Sequence, residues 1–288
     1  MTNSSAHNTR LPDVYIVGTQ KGGTGWLYKN LSSHPSVHRG VKEVCYWHNN
    51  AFQNTLVSQD HGRLYGPASL AAYKRQFDGS GPDQLLIDAS PNYMTCPWVA
   101  AAIRKFKPDA KIIFLLREPV SRAYSNYQMY LRLNMEANHS PQALIEDMER
   151  LKAQPWFPEY LDPTSDGTRF FKHWEVSPDM TKWANYPAYT IRGLYAPQIT
   201  RWLRHFPTKN MMFLVSEVAR VTPDKVFASV QDFLGLAQIP LQVPIFKNHR
   251  AAYPPIDHEV KGELAQFYEP YNQELFRMMN LKKPLWTA

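Results

Sequence analysis

Short, unbroken apolar runs alternate along this chain with stretches of helical spacing. The apolar runs fall near residues 13–17, 85–88, 111–116 and 211–216. None alternates as a half-solvated strand would, so each reads as a strand buried on both faces, as in a parallel sheet. Residues 24–33 read as a helix directly after the first run. Residues 98–106 read as a second helix, stopped by Pro108. Pro119 suits the first turn of a third, in which Tyr124, Tyr127 and Leu131 recur at helical spacing. Residues 223–234 open on Pro223, keep one apolar face and end at Gly235, a C-cap residue. Residues 257–279 read as a closing helix, interrupted near Pro270. Strands alternating with helices predict an α/β fold, a central parallel sheet flanked by helices in three layers.

Residues 134–190 break this rhythm. The piece PQALIEDMERLKAQ is helical through Leu144, Ile145, Met148 and Leu151. After it, prolines and aromatics follow with no period. Long irregular segments inside compact domains are often lids or binding loops. Trp156, Phe157, Phe170, Phe171, Trp174 and Trp183 either stack on a bound ligand or form a satellite core. The expected organisation is one domain over residues 1–288, with 134–190 as a substrate-side lid or insertion.

The 288 residues are 44% hydrophobic, enough for one sizeable core. No apolar run approaches the roughly 18 residues of a membrane span. The opening residues MTNSSAHNTR lack the apolar centre of a leader. Only Cys45 and Cys96 occur, which suits a reducing compartment. These signs predict a cytoplasmic protein without a transmembrane segment. The formal net charge is +7, favouring an anionic partner. The basic residues are dispersed and no nucleic-acid motif appears, so a specific nucleic-acid partner is not expected. His173, His205, His249 and His258 have no metal-ligand spacing, so no metal is expected.

The most informative stretch is VYIVGTQKGGTGWLYKNLSSHP, residues 14–35. A strand, a glycine-bearing turn and a helix N-terminus make an anion cradle, because free N–H groups and the helix dipole converge. Lys21 adds a positive charge within it. Gly18 and Gly23 have the spacing of a Walker loop, but Thr24 and Gly25 follow where Lys and Ser/Thr belong. The turn thus looks like a phosphate loop without its magnesium chemistry. Alone, it reads equally as a tight strand–helix turn with a solvated lysine.

A second stretch is AKIIFLLREPVSRAYSNYQMYLR, residues 110–132. Arg117 stands where a buried strand ends, and Ser125 lies about two turns into the next helix. Ligands in open α/β sheets bind beyond the carboxyl ends of strands, and the planar fork of arginine matches phosphate oxygens. Arg117 and Ser125 are therefore candidates for a second anionic group. The plainer reading pairs Arg117 with Glu118 and leaves Ser125 on a helix face.

Together the two stretches resemble the sulfotransferases that use 3′-phosphoadenylyl sulfate, above all the carbohydrate type typified by heparan sulfate sulfotransferases. GVKEVCYWHN, IDASPNYM and RGLYAPQITRWLRHFP resemble further segments of that family. The resemblance implies a P-loop-like fold. It implies that Gly18, Lys21, Gly22, Gly23, Thr24, Gly25 and Trp26 hold the 5′-phosphosulfate, and that Arg117 and Ser125 hold the 3′-phosphate. Lys247, Arg250 and Tyr253 lie where the family closes a loop over the nucleotide. Two departures touch the acceptor side: Ala89 stands where heparan-type enzymes carry lysine, and FKNHRAAYPP lacks the cysteine of their disulfide-tied loop.

The implied activity moves a sulfuryl group from 3′-phosphoadenylyl sulfate to a hydroxyl or amine of a glycan or small molecule, leaving adenosine 3′,5′-bisphosphate. Positioning and electrostatics carry such transfers. Lys21 would neutralise the leaving group, and Glu43 is the first choice of general base. His48 and Asp88 are reserve bases. Two rival classes remain open: a metal-dependent kinase with an atypical phosphate loop, and a non-catalytic carbohydrate-binding protein on this scaffold. The missing Walker lysine and metal carboxylate argue against the first, which a magnesium requirement would revive. The retained Lys21 with Glu43 argues against the second, since a mere binder has no need for both.

Overall fold

The computed structural model describes residues 9–47, 69–165, 188–244, 253–281 and 284–286. Its strands are β1 (Val14–Gly18), β2 (Val37–Arg39), β3 (Leu85–Asp88), β4 (Lys111–Leu116) and β5 (Met211–Val215). In chain order its helices are α1 (Thr24–Leu31), α2 (Leu70–Arg75), α3 (Val99–Phe106), α4 (Pro119–Arg132), α5 (Ala143–Lys152), α6 (Phe157–Leu161), α7 (Tyr195–His205), α8 (Ser216–Val221), α9 (Pro223–Leu234) and α10 (His258–Met278). The chain falls into two compact units, Met1–Leu116 with Leu203–Lys247, and Arg117–Trp202 with Asn248–Ala288.

The first unit holds a five-stranded sheet in the order β2-β3-β1-β4-β5, with every pairing parallel. All five residues of β1 are buried, which is why this strand shows no alternation. One face of the sheet places Val14, Ile16, Ile113, Leu115 and Leu214 against Trp26, Leu27 and Leu31 of α1 and Val226, Phe227 and Val230 of α9. Removing one such aliphatic side chain from water stabilises by about 1.5–3 kcal/mol. The other face carries Tyr15 and Asp88, both without solvent exposure. The sheet and its helices match the expected α/β fold. The edge strand β2 was not foreseen: at three residues it is too short to show a period.

The second unit packs helices. Tyr268 of α10 has no solvent exposure, and its hydroxyl donates to the Thr190 carbonyl at 2.8 Å. Helix α10 runs on through Pro270, where the sequence predicts an interruption. Trp156 and Phe157 are buried, with the Trp156 ring edge-on to Tyr160. The aromatics Phe170, Phe171, Trp174 and Trp183 lie outside the described residues.

Candidate functional site

Parallel strands leave their carboxyl ends at one edge of the sheet, and β1 lies at its centre. Beyond β1 the chain turns tightly. The Thr19 N–H donates to the Leu115 carbonyl at 2.8 Å, and the Gly22 N–H donates to the Thr19 carbonyl at 2.9 Å. A Cβ on Gly22 would stand 2.4 Å from the Leu115 oxygen, so only glycine fits there. Ser216, at the start of α8, donates its hydroxyl to the Gly22 carbonyl. Lys21 has φ 72°, and Gly23, the residue ahead of α1, has φ 105°. This backbone sends the chain straight into α1.

Helix α1 begins without a side-chain cap and without an acidic residue in its first turn. The leading N–H groups of a helix have no intrahelical acceptor. Uncapped, they add to the positive end of the dipole and suit an anion. Thr24 is buried in this first turn. At Gly25 the nearest atom to an added Cβ would be Cε of Lys42, 3.7 Å away. Lys42 thus lies over the first turn of α1, and its ammonium pairs with the Glu43 carboxylate. Trp26 is buried and donates its indole N–H to the Val243 carbonyl at 3.2 Å. This hydrogen bond ties α1 to the segment at Val243.

Glu43 has an exposed side chain on a strained backbone, with φ 63°, and Cys45 follows at φ 55°. Three hydrogen bonds fix this segment to the turn after β3. The Glu43 N–H donates to the Ala89 carbonyl at 3.0 Å. The Cys45 N–H donates to Ser90 Oγ at 3.1 Å, and the Trp47 N–H donates to the Tyr93 hydroxyl at 3.3 Å. Tyr46 stacks on Tyr73 with ring centroids 4.6 Å apart. Burial pushes the Cys45 thiol up to about 12, with the charges of Asp88 and Glu43 adding to the effect.

Asp88 ends β3 with no solvent exposure. Its Oδ1 accepts from Ser90 Oγ at 2.6 Å. Its Oδ2 accepts from the Tyr73 hydroxyl at 2.7 Å and the Tyr93 hydroxyl at 2.9 Å. Burial raises its pKa, and these three donors oppose the rise.

In the second unit, the Arg117 carbonyl accepts from the Tyr195 hydroxyl at 2.8 Å. The Glu118 carboxylate caps α4 by accepting from the N–H groups of Val120 and Ser121. Ser125 is buried on α4. Tyr253 sits edge-on to Tyr124, ring centroids 6.3 Å apart. His48, Lys247 and Arg250 lie outside the described residues.

The first unit therefore brings together the Gly18–Gly25 cradle, the Lys42–Glu43 pair and the turn after Asp88. Sequence reading missed Lys42, Tyr73, Ser90, Tyr93 and Ser216 as parts of this arrangement. Ser90 and Tyr93 stand in IDASPNYM, a stretch already singled out. Ser216 stands at a strand end, where site residues gather. Tyr73 carries no such mark.

A family model described as "Sulfotransferase domain" matches residues 11–254. The heparan sulfate glucosamine 3-O-sulfotransferase 3B1 of Homo sapiens is 26% identical over 298 residues, spanning 96% of this chain and 65% of that protein. The human 3A1 enzyme is 27% identical, spanning 93% of this chain and 61% of that protein. The chain thus spans less than two thirds of the length of either. The crystal structure of a sulfotransferase from Alicyclobacillus acidocaldarius superposes with a TM-score of 0.70 at 25% identity, covering 96% of this chain and 98% of that one.

These relatives correct the expectation of a cytoplasmic setting. A relative from Dictyostelium discoideum, 23% identical over 94% of this chain, is a membrane-associated sulfotransferase. That finding sets the cytoplasmic expectation aside. The cytoplasmic reading rested on few cysteines and no long apolar run, which describe how these residues pack and not where they work. No described helix is long and apolar enough to cross a membrane, and that fact carries no compartment with it.

Proposed function

The chain belongs to the sulfotransferase family, and on that premise we propose that it moves a sulfuryl group from 3′-phosphoadenylyl sulfate to a glycan hydroxyl. The observation that carries the reading is the uncapped start of α1 behind a turn that only glycine can make at position 22. An anion of phosphate size fits such donors, and no acidic residue in the first turn of α1 repels it. The names of the human relatives support a sugar hydroxyl as acceptor. The 3′-phosphate is assigned to Arg117 and Ser125 on the likeness of the second motif alone.

When bound, the nucleotide supplies an activated sulfuryl group and a phosphate leaving group. The N–H groups at the start of α1, the Thr24 hydroxyl and Lys21 hold the negative charge that grows on that phosphate. Fixed donors of this kind stabilise developing charge without reorganising. Glu43 takes the proton of the attacking hydroxyl, and its exposure leaves it open to an acceptor. Lys42 holds the Glu43 carboxylate in place beside α1. Asp88 does not serve as the base, because its oxygens accept three hydrogen bonds in a site closed to solvent.

Calorimetric titration with adenosine 3′,5′-bisphosphate, chelator present, tests the nucleotide assignment. The expected dissociation constant is about micromolar or tighter. Binding of ATP with magnesium, and not of the bisphosphate, would return the chain to the kinase reading.

A further inference from the structure

We propose that Asp88 is the positioning residue for Glu43, acting through the hydroxyls of Ser90 and Tyr93. This rests on Glu43 being the general base. A fully buried carboxylate is costly to keep. The three donors that meet Asp88 are hydroxyls, from Ser90, Tyr73 and Tyr93, and not cations. An ionised carboxylate only accepts hydrogen bonds. Each hydroxyl must therefore turn its proton toward Asp88, which leaves its lone pairs for another donor. Ser90 offers them to the Cys45 N–H, and Tyr93 to the Trp47 N–H. The next residue, Ala89, takes the Glu43 N–H on its carbonyl.

Alternate N–H groups of the 43–47 segment are thus fastened to one turn, and Asp88 sets the polarity of two of the three fastenings. The segment needs holding. Glu43 and Cys45 both sit in the left-handed region that non-glycine residues avoid. Tyr73 completes the cluster from α2: its hydroxyl meets Asp88, and its ring lies under Tyr46.

Asp88→Asn keeps the shape but puts a donor where an acceptor stood. The hydroxyl facing it loses the group that fixed its proton, and that proton now competes with a loop N–H. We expect turnover to fall by about ten- to a hundredfold, the scale of a base misplaced by about 1 Å. The dissociation constant for adenosine 3′,5′-bisphosphate should stay within about twofold, since the cradle is untouched. The amides of Glu43, Cys45 and Trp47 should exchange faster with solvent. A Glu43→Gln, Asp88→Asn double variant should be no slower than Glu43→Gln alone, because the two residues act as one unit. Should Asp88→Asn fail to fold, Ser90→Ala and Tyr93→Phe each remove one fastening and should show the same pattern.

Turnover of these variants within about twofold of the parent, with Glu43→Gln inactive, would overturn this inference and spare the base assignment. A loss fully additive with Glu43→Gln would also overturn it. Full turnover by Glu43→Gln would overturn the base assignment and this inference together.

Discussion

At Gly22 the backbone runs so close to β4 that an added Cβ would stand 2.4 Å from the Leu115 oxygen. That oxygen already accepts the Thr19 N–H, so β4 cannot retreat without losing the hydrogen bond that shapes the turn. Gly22→Ala should therefore push the turn off its track. The expected cost is about 1–3 kcal/mol of stability and at least about tenfold in affinity for adenosine 3′,5′-bisphosphate, read by thermal melting and calorimetry. Gly25→Ala meets nothing closer than 3.7 Å and gains helix propensity, so its melting temperature should not fall. Equal behaviour of the two variants would contradict the geometry. The glycine spacing was visible in the sequence because a tight turn leaves a local mark. The hydrogen bonds of Asp88 were not visible, since its partner Tyr73 comes from α2 and the segment 43–47 that Ser90 and Tyr93 fasten lies far from β3 in sequence.

At the scale of elements, the helices with local punctuation were the legible ones. Pro223 and Gly235 bracket α9 as read, and Gly235 takes the left-handed conformation at φ 69°. Pro270 misled for a physical reason. A proline removes one helical hydrogen bond, but Val260, Leu264, Tyr268, Leu275 and Phe276 are buried on both sides of it and hold α10 together. Packing overrode a local rule there. Helix α5 shows the same pull between local and tertiary forces. Its Asp147 is buried and accepts from the N–H and hydroxyl of Thr190 at 2.8 and 2.6 Å. Burial pushes the Asp147 carboxyl up to about 6, against the pull of Thr190, Arg150 and Arg122.

The folded state thus binds this proton more tightly than the unfolded chain, whose value is 3.8. Where the folded state binds more protons, stability falls as pH rises. The contribution of protonated Asp147 is complete below 3.8 and is lost as pH passes about 6. The melting temperature of the parent minus that of Asp147→Asn should therefore be largest at the acid end of this window. It should shrink toward neutral pH and then level off. A difference that stays constant with pH would place the titration elsewhere.

At the scale of the whole molecule, the α/β class was legible because its parallel strands are continuous apolar runs. The strand order was not, since crossovers leave no mark in a single sequence. The charge of +7 was read as the signature of an anionic partner, which accords with a nucleotide carrying several phosphates. Composition failed on the setting, because cysteine count and the length of apolar runs carry no compartment. The acceptor side drew least from the sequence, because Ala89 departs from the heparan-type pattern and FKNHRAAYPP lacks the cysteine of its disulfide-tied loop.

Sulfuryl transfer is tested by following radiolabelled sulfur from 3′-phosphoadenylyl sulfate into a panel of glycan acceptors. Label should appear on a sugar hydroxyl, with one adenosine 3′,5′-bisphosphate released per transfer. Glu43→Gln should slow that transfer by about a hundred- to ten-thousandfold while leaving bisphosphate binding intact. Label that stays on the donor with every acceptor, in a protein that still binds the bisphosphate, would rule out sulfuryl transfer and leave a nucleotide-binding scaffold without transferase activity.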